Sequence, residues 1–217
     1  MTGLIFDMDG VIVDSNPVHR EAWEIYNRSL GVDTTEEMHQ RMYGKRNDQI
    51  LRDYLGQHLS DAEVFEHGAA KERLFRELIL PRIAQHIVPG IREFIERHSD
   101  LPMAVASNAE PENIHFVLDS AGLAPYFRVV IDGHQVSRPK PAPDVFLKAA
   151  ESLGVPPDRC IVFEDSYSGV EAGLAAGMPV VGLLTTHPDL PGTRLAVHDF
   201  HSTELEAFIS ATMSNGK

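Results

Sequence analysis

The sequence predicts an α/β protein built around a parallel β-sheet, because short apolar runs alternate with helical patterns along the chain. Five runs resemble strands: LIFD (4–7), MAVAS (103–107), VVID (129–132), CIVFED (160–165) and MPVVGLL (178–184). Helical patterns lie between the last four runs, at 111–123, 141–154 and 168–177, each with a glycine at or beside its end. This alternation indicates a Rossmann-like core, a parallel sheet covered by helices on both faces.

The first run is separated from the others by a long helical stretch. From Asn16 to Pro81 the apolar residues recur with a helical period and no segment resembles a strand. An insertion of this size, about 65 residues, is large enough for a small helical bundle. We therefore predict a core formed by residues 1–15 and 82–217, and a helical cap domain, 16–81, inserted after the first strand. The polar tail MSNGK is expected to be frayed.

The chain is acidic, with a formal net charge of -13 and no long basic run. This charge argues against nucleic acid or an anionic membrane as a partner. The start MTGLIFDMDG lacks the features of a signal peptide, and no stretch of about 18 apolar residues could span a bilayer. We expect a cytoplasmic protein, and the sequence leaves its oligomeric state open.

Two aspartates, Asp7 and Asp9, follow the first apolar run. A carboxylate at the end of a buried strand is costly unless a metal or hydrogen-bond donors meet it. Ligands of parallel sheets collect outside the carboxyl ends of the strands, where Asp7, Ser107 and Asp165 would lie together. A turn or a helix cap would also explain an isolated pair of aspartates, so the prediction of a site depends on its neighbours.

Further polar residues are expected at the same edge of the sheet. Ser107 closes the second predicted strand, Lys140 lies between two prolines, and Glu164 with Asp165 closes the fourth strand. Taken singly, these residues suit helix caps or an exposed loop. Their arrival at one edge of one sheet favours a functional site.

These motifs resemble those of a known family. DMDG (7–10), Ser107-Asn108, Lys140 in RPKPAPDVF and FEDSYSGVEAG (163–173) are similar to the four motifs of the haloacid dehalogenase superfamily. The helical insertion resembles the cap of its β-phosphoglucomutase-like and sugar-phosphatase branch. The resemblance spans almost the whole chain and implies an enzyme that acts on a small phosphorylated metabolite.

The resemblance implies that the acidic residues bind Mg²⁺ and carry the reaction. Mg²⁺ prefers oxygen ligands, which Asp7, Asp165 and the backbone carbonyl of Asp9 would supply. Glu164 would either bind the ion directly or support one of its ligands. Asp7 would attack phosphorus and form an aspartyl-phosphate, with Asp9 as general acid and base. On a continuing strand, the side chains of Asp7 and Asp9 would point to the same side.

The same resemblance implies that three residues bind the phosphoryl group of the substrate. Ser107 and Asn108 would bind its oxygens near the start of the next helix, whose dipole favours an anion. Lys140 would supply a fixed positive charge, which phosphoryl transfer requires.

Two cap features are candidates for substrate recognition. His19 and Trp23 match positions that face the active site in relatives acting on sugar phosphates, although a structural histidine and a core tryptophan are equally compatible with the sequence. Gly44, Lys45 and Arg46 resemble the specificity loop of such caps. A local positive cluster in an acidic chain would suit an anionic ligand, and a solvated helix end is the ordinary alternative.

The leading hypothesis is a Mg²⁺-dependent phosphatase for a sugar or polyol phosphate. The alternatives are a β-phosphoglucomutase-type isomerase and a non-catalytic binding protein on the same fold, which would be expected to lack some of the motif residues. A dehalogenase or phosphonate hydrolase does not need the second acid, Asp9. Shortly after the serine of the second motif, the mutases have a lysine and an asparagine that help to hold phosphate, whereas Ser107 is here followed by Asn108-Ala109-Glu110-Pro111, and Glu110 would repel an anion. Asn47 stands where the mutases have an arginine. Both departures favour the phosphatase, although Arg46 could replace the arginine after a shift of one residue.

Overall fold

The computed structural model describes residues 2–214, and in this range six parallel strands form one sheet in the order β3-β2-β1-β4-β5-β6. The strands are β1 (Gly3–Phe6), β2 (Met103–Ala106), β3 (Val129–Ile131), β4 (Cys160–Glu164), β5 (Val180–Leu183) and β6 (Leu195–Val197). The first five confirm the predicted strands, and β6 has no predicted counterpart.

Helices connect and cover the strands. They are α1 (Asn16–Ser29), α2 (Glu36–Met42), α3 (Asn47–Leu55), α4 (Asp61–Ile79), α5 (Ile83–His86), α6 (Ile91–Arg97), α7 (Pro111–Ser120), α8 (Asp144–Leu153), α9 (Tyr167–Ala175) and α10 (Thr203–Ser214), with 3-10 helices at Leu80–Arg82, Ala124–Tyr126 and Pro157–Arg159. Helices α7, α8 and α9 confirm the three predicted helical patterns, whereas α6 and α10 were not predicted. The tail MSNGK begins within α10, and residues 215–217 lie outside the described range.

The four central strands, β2, β1, β4 and β5, are buried on both faces by the helices that pack against the sheet. Along β1, Leu4 and Phe6 belong to one hydrophobic cluster and Ile5 to the other, as the alternation of side chains along a strand requires. Phe6 stacks on Phe163 of β4 with ring centroids 4.5 Å apart. This burial explains why these strands appear in the sequence as continuous apolar runs.

The segment predicted as a cap contains helices and no strand within its described residues, 16–81. Helix α4 packs against α1 and α3, and a separate hydrophobic cluster forms among these helices around Trp23 and Leu51. The two segments that connect this helical region to the sheet lie side by side: Val13, before it, and Ile87, after it, form a β-bridge. The arrangement is compatible with an inserted cap, whose bounds remain a prediction.

None of the described helices is long and apolar enough to cross a membrane. The location of the protein remains a prediction.

Candidate active site

The candidate site lies at the carboxyl edge of the sheet, where the ends of β1, β2 and β4 meet. Pairing of Phe6 with Phe163 sets β1 and β4 in register. The backbone N–H of Asp7 continues this ladder by donating to the carbonyl of Phe163 (3.0 Å), and that of Ser107 donates to Ile131 (3.0 Å). The sheet therefore fixes the backbone of Asp7, Ser107 and Asp165 at one edge, as the sequence predicted. All three line a cavity between this edge and the cap helices.

Three buried carboxylates converge in this cavity. One oxygen from each of Asp7, Glu164 and Asp165 lies within 4.8 Å of the others. Lys140 Nζ lies 3.1 Å from Asp7 Oδ1 and forms an ion pair with it. A convergent set of hard carboxylate oxygens fits Mg²⁺.

The electrostatics of the cluster favour a bound cation. Burial, together with the charges on Glu164 and Asp9, raises the pKa of Asp7 to about 7 against the lowering effect of Lys140. Burial and the charges on Glu164 and Asp7 hold the pKa of Asp165 well above its usual value. A metal cation would offset this cost by stabilising the ionised carboxylates.

Glu164 is engaged by hydrogen bonds at both oxygens. Oε1 accepts from Lys140 Nζ at 2.5 Å, and Oε2 accepts from the backbone N–H of Asp165 (2.9 Å) and of Ser166 (3.0 Å). A Cβ on Gly169 would lie 1.9 Å from this carboxyl group, so the glycine makes room for it. These contacts favour a supporting role, in which Glu164 holds Lys140 and the end of β4 in place.

Lys140 is a buried cation between acidic partners. Burial alone would lower its pKa, but the charges on Asp7 and Glu164 outweigh that effect and raise the pKa above its usual value. Its backbone N–H donates to Asn108 Oδ1 at 3.2 Å. Lys140 is therefore protonated and held in position beside Asp7.

Asp9 lines the same cavity, but the prediction that a continuing strand places it there was wrong. Strand β1 ends at Phe6, and the chain then turns, with the N–H of Ile12 donating to the carbonyl of Met8 at 2.9 Å. The turn, rather than a continuing strand, places Asp9 near Asp7. Asp9 Oδ1 accepts from Ser15 Oγ at 2.5 Å, which restricts the orientation of the carboxyl group.

Ser107 and Asn108 both reach the cavity. Ser107 Oγ accepts from the N–H of Ala109 at 3.2 Å, and α7 begins at Pro111. Asn108 Nδ2 donates to the carbonyl of Gly44 at 2.8 Å, so its amide joins the core to the cap.

His19 and Trp23 are packed residues that also line the cavity. His19 stacks on Phe75 with centroids 3.8 Å apart, and Trp23 meets Tyr54 edge to face at 5.1 Å. Lys71 Nζ lies 3.2 Å from His19 Nδ1. His19 Nε2 lies 3.5 Å from Asp9 Oδ1, so the ring lies between Lys71 and Asp9.

The specificity loop does not form the expected positive cluster. Gly44 lines the cavity at φ 71°, where a Cβ would come within 2.4 Å of Ser168 Oγ. Lys45 also lines it, but its Nζ pairs with Asp53 at 3.1 Å.

Arg46 is not among the residues that line this cavity. Its guanidinium pairs with Asp48 at 3.0 Å and donates to the carbonyl of Gly133 at 3.1 Å. The charge of Arg46 is therefore used in a contact between the cap and the core. Arg46 does not replace the arginine that the mutases have at the position of Asn47.

Sequence reasoning missed a charged pair in the cap, Lys71 and Glu72. Both residues are buried, line the cavity and form an ion pair. Burial tends to raise the pKa of Glu72, but Lys71 and His19 lower it to about 2. Lys71 and Glu72 share the buried side of α4 with Phe75 and Ile79, and this position in an apolar stripe is the signal that could have identified them.

Two further residues support Asp165 and were also missed. Asn16 Nδ2 donates to Asp165 Oδ2 at 3.2 Å and to Thr186 Oγ1 at 2.6 Å. Thr186 in turn donates to Asp165 Oδ2. One oxygen of Asp165 is thus held by side chains from α1 and the loop after β5.

Comparison with known proteins agrees with this geometry. The family model of haloacid dehalogenase-like hydrolases matches residues 1–177. Fructose-1-phosphate phosphatase YqaB of Escherichia coli is 34% identical over 181 residues, which cover 82% of this chain and 94% of the relative. A β-phosphoglucomutase from Clostridium difficile superposes with a TM-score of 0.88 at 25% identity, covering 99% of this chain and 98% of that one. CbbY from Rhodobacter sphaeroides, solved with xylulose-(1,5)bisphosphate, gives a TM-score of 0.79 at 25% identity over 92% of this chain and 95% of that one. The chain belongs to the family of haloacid dehalogenase-like hydrolases.

Proposed function

We propose that this enzyme is a Mg²⁺-dependent phosphatase for a small phosphorylated carbohydrate, working through an aspartyl-phosphate on Asp7. The observation that carries the proposal is the convergence of the buried carboxylates of Asp7, Glu164 and Asp165 beside the buried cation Lys140. A carboxylate nucleophile held next to fixed charges in an organised site suits attack on phosphorus. Support also comes from relatives named as sugar phosphatases.

In the first step, an Asp7 oxygen attacks phosphorus and the bond from phosphorus to the sugar oxygen breaks. Asp9 gives its proton to the departing sugar oxygen. In the second step, Asp9 takes a proton from water, the water oxygen attacks phosphorus, and the bond to Asp7 breaks. Inorganic phosphate leaves, and both carboxyl groups return to their starting states.

The remaining residues bind and orient. Lys140 offsets the charge on the phosphoryl oxygens, while Ser107 and Asn108 donate hydrogen bonds to them. When bound by Asp7, Asp165 and the carbonyl of Asp9, Mg²⁺ would neutralise charge on the transferred group. His19 Nε2 faces Asp9, and the ring would help to orient the carboxyl group of Asp9.

The alternative is a phosphosugar isomerase, since relatives named β-phosphoglucomutase share the fold. An isomerase must hold a bisphosphate intermediate in two orientations, which requires a firm second phosphate site. Here Asn47 and Glu110 line the cavity, and the positive charges of Lys45 and Arg46 are directed to Asp53 and Asp48. The absence of a free cation among these loop residues favours hydrolysis.

The test is phosphate release from a panel of sugar and polyol monophosphates, with Mg²⁺ or with EDTA. Wild type should release phosphate only with Mg²⁺, and Asp7→Asn should be inactive. Asp119→Asn, an exposed substitution of the same kind on α7, is the matched control and should retain activity. Equal activity of Asp7→Asn and wild type, or no release from any monophosphate, would refute the proposal.

A further inference from the structure

Four polar residues line the cavity where the cap meets the core: Asn47 and Glu72 from the cap, and Glu110 and Asn113 from the core. We call this set the seam subsite. Asn47, Glu72 and Glu110 also line a groove on the outside of the same seam. The subsite therefore lies between the cavity and the outer groove, whereas the Asp7 cluster borders only the cavity.

Hydrogen bonds hold the seam subsite together across the two halves of the protein. Asn47 Nδ2 donates to Glu72 Oε1 at 2.7 Å and to Glu110 Oε1 at 3.3 Å. Asn113 Nδ2 donates to Glu72 Oε2 at 2.6 Å. The side-chain oxygen of Asn113, Oδ1, accepts from Arg76 at 2.7 Å. This contact orients the side-chain amide of Asn113 with its Nδ2 toward Glu72. The arrangement is ordered, and its oxygen acceptors belong to carboxylates.

The charge of the subsite is unfavourable for an anion. Lys71 neutralises Glu72 through their ion pair. Within residues 2–214, the ion-pair partner of Glu110 is His134, whose Nε2 lies 2.5 Å away and which is charged only when protonated. The guanidinium of Arg76 faces Asn113 and Glu112. A second phosphate placed here would lie against carboxylates rather than against an unpaired cation, and it would be repelled.

The same carboxylates suit hydroxyl groups. An ionised carboxylate offers about four lone-pair positions, so Glu72 and Glu110 can accept further hydrogen bonds beside those that they already receive. Sugar and polyol hydroxyls donate such bonds, while a phosphate dianion has no proton to donate and is repelled.

We propose that the seam subsite binds the hydroxyl-bearing, uncharged end of a sugar or polyol monophosphate and rejects substrates with a second phosphate. The inference rests on the proposed phosphatase function and specifies its substrate class. Glu110 is the residue that sets the preference, because its charge is the least neutralised.

The test measures binding without turnover. Affinities of the Asp7→Asn protein for fructose 1-phosphate and fructose 1,6-bisphosphate, with Mg²⁺ present, are compared by calorimetry. We expect the bisphosphate to bind at least about tenfold more weakly, since like charges at an interface are strongly unfavourable. Adding Glu110→Gln should reduce this ratio several-fold, and adding Glu110→Lys should bring it to about one or invert it.

Glu77→Lys is the matched control, because Glu77 is exposed on the same helix as Glu72 and the substitution changes the net charge by the same amount as Glu110→Lys. The control should leave the ratio unchanged. Equal or tighter binding of the bisphosphate to the parent, a ratio that neither Glu110 variant moves, or no binding of either ligand would overturn the inference. Failure of the proposed function is seen separately, as a wild-type protein that binds fructose 1-phosphate and releases no phosphate.

Discussion

Replacing Asp7 by asparagine should stabilise the metal-free protein at alkaline pH, and the gain should shrink as the pH falls. The pKa of Asp7 is raised from 3.8 to about 7, mainly by burial. A carboxyl group with a raised pKa in the folded state contributes stability that is fully present below pH 3.8 and is lost as the pH rises through about 7. Asparagine does not titrate, so the variant does not lose this contribution.

The size of the effect follows from the two pKa values. A rise from 3.8 to about 7 corresponds to about 4 kcal/mol between the extremes of pH. Between about pH 5 and pH 8.5, the part that is lost is about 2 to 3 kcal/mol. For a protein of this size, that difference shifts the melting temperature by roughly 5 to 10 °C.

The assay is urea and thermal unfolding of wild type and Asp7→Asn in EDTA at both pH values. Asp119→Asn, at an exposed position, serves as the control and should show no such pH-dependent gain. Saturating Mg²⁺ should reverse the order, because ligand binding stabilises the folded state and the variant has lost a ligand. The reasoning fails if the stability difference is the same at both pH values, or if Asp7→Asn is the less stable protein at pH 8.5 without metal.

Three further predictions concern the metal, the acid and the cap. Asp165→Ala should lose most Mg²⁺ affinity while circular dichroism shows a folded protein; unchanged calorimetric binding would contradict its assignment. Asp9→Asn should form the phospho-enzyme from an activated ester and hydrolyse it slowly, so mass spectrometry should detect a phosphate adduct, and its absence would count against the role. Gly44→Ala should raise KM and lower the free energy of unfolding by about 1 kcal/mol, because the added Cβ would approach Ser166 and Ser168. Gly31→Ala, at a similar φ with no neighbour within 4 Å, should lower stability alone. Equal KM values for the two variants would refute this.

The core and the position of the candidate site at its edge could be predicted from the sequence because their signals are local. Strands β1 and β4 are buried on both faces, so each is a continuous apolar run with polar residues directly after it. Strand β6 is a short edge strand whose first two residues are not buried, and its apolar run, LAV, is only three residues long. Position at a strand end was therefore enough to locate Asp7, Ser107 and Asp165.

The cap side of the site depends on tertiary contacts that spacing does not specify. Whether Arg46 faces a ligand is decided by Asp48 and by the carbonyl of Gly133, which is far away in the chain. The sequence signal for Lys71 and Glu72 is limited to their position in the apolar stripe of α4, and their contacts with Trp23 and Asn113 depend on the packing of the folded protein. The cap side of the site was less predictable than the carboxyl edge of the sheet for this reason.

The central claim, transfer of the phosphoryl group to water, is tested most directly by following phosphate and sugar phosphates in one reaction. Phosphorus NMR of wild type with Mg²⁺ and either fructose 1-phosphate or β-glucose 1-phosphate measures both products without any bisphosphate activator. We predict release of inorganic phosphate from at least one of these monophosphates, and no glucose 6-phosphate above background. Efficient conversion of β-glucose 1-phosphate to glucose 6-phosphate with little phosphate release would contradict the account.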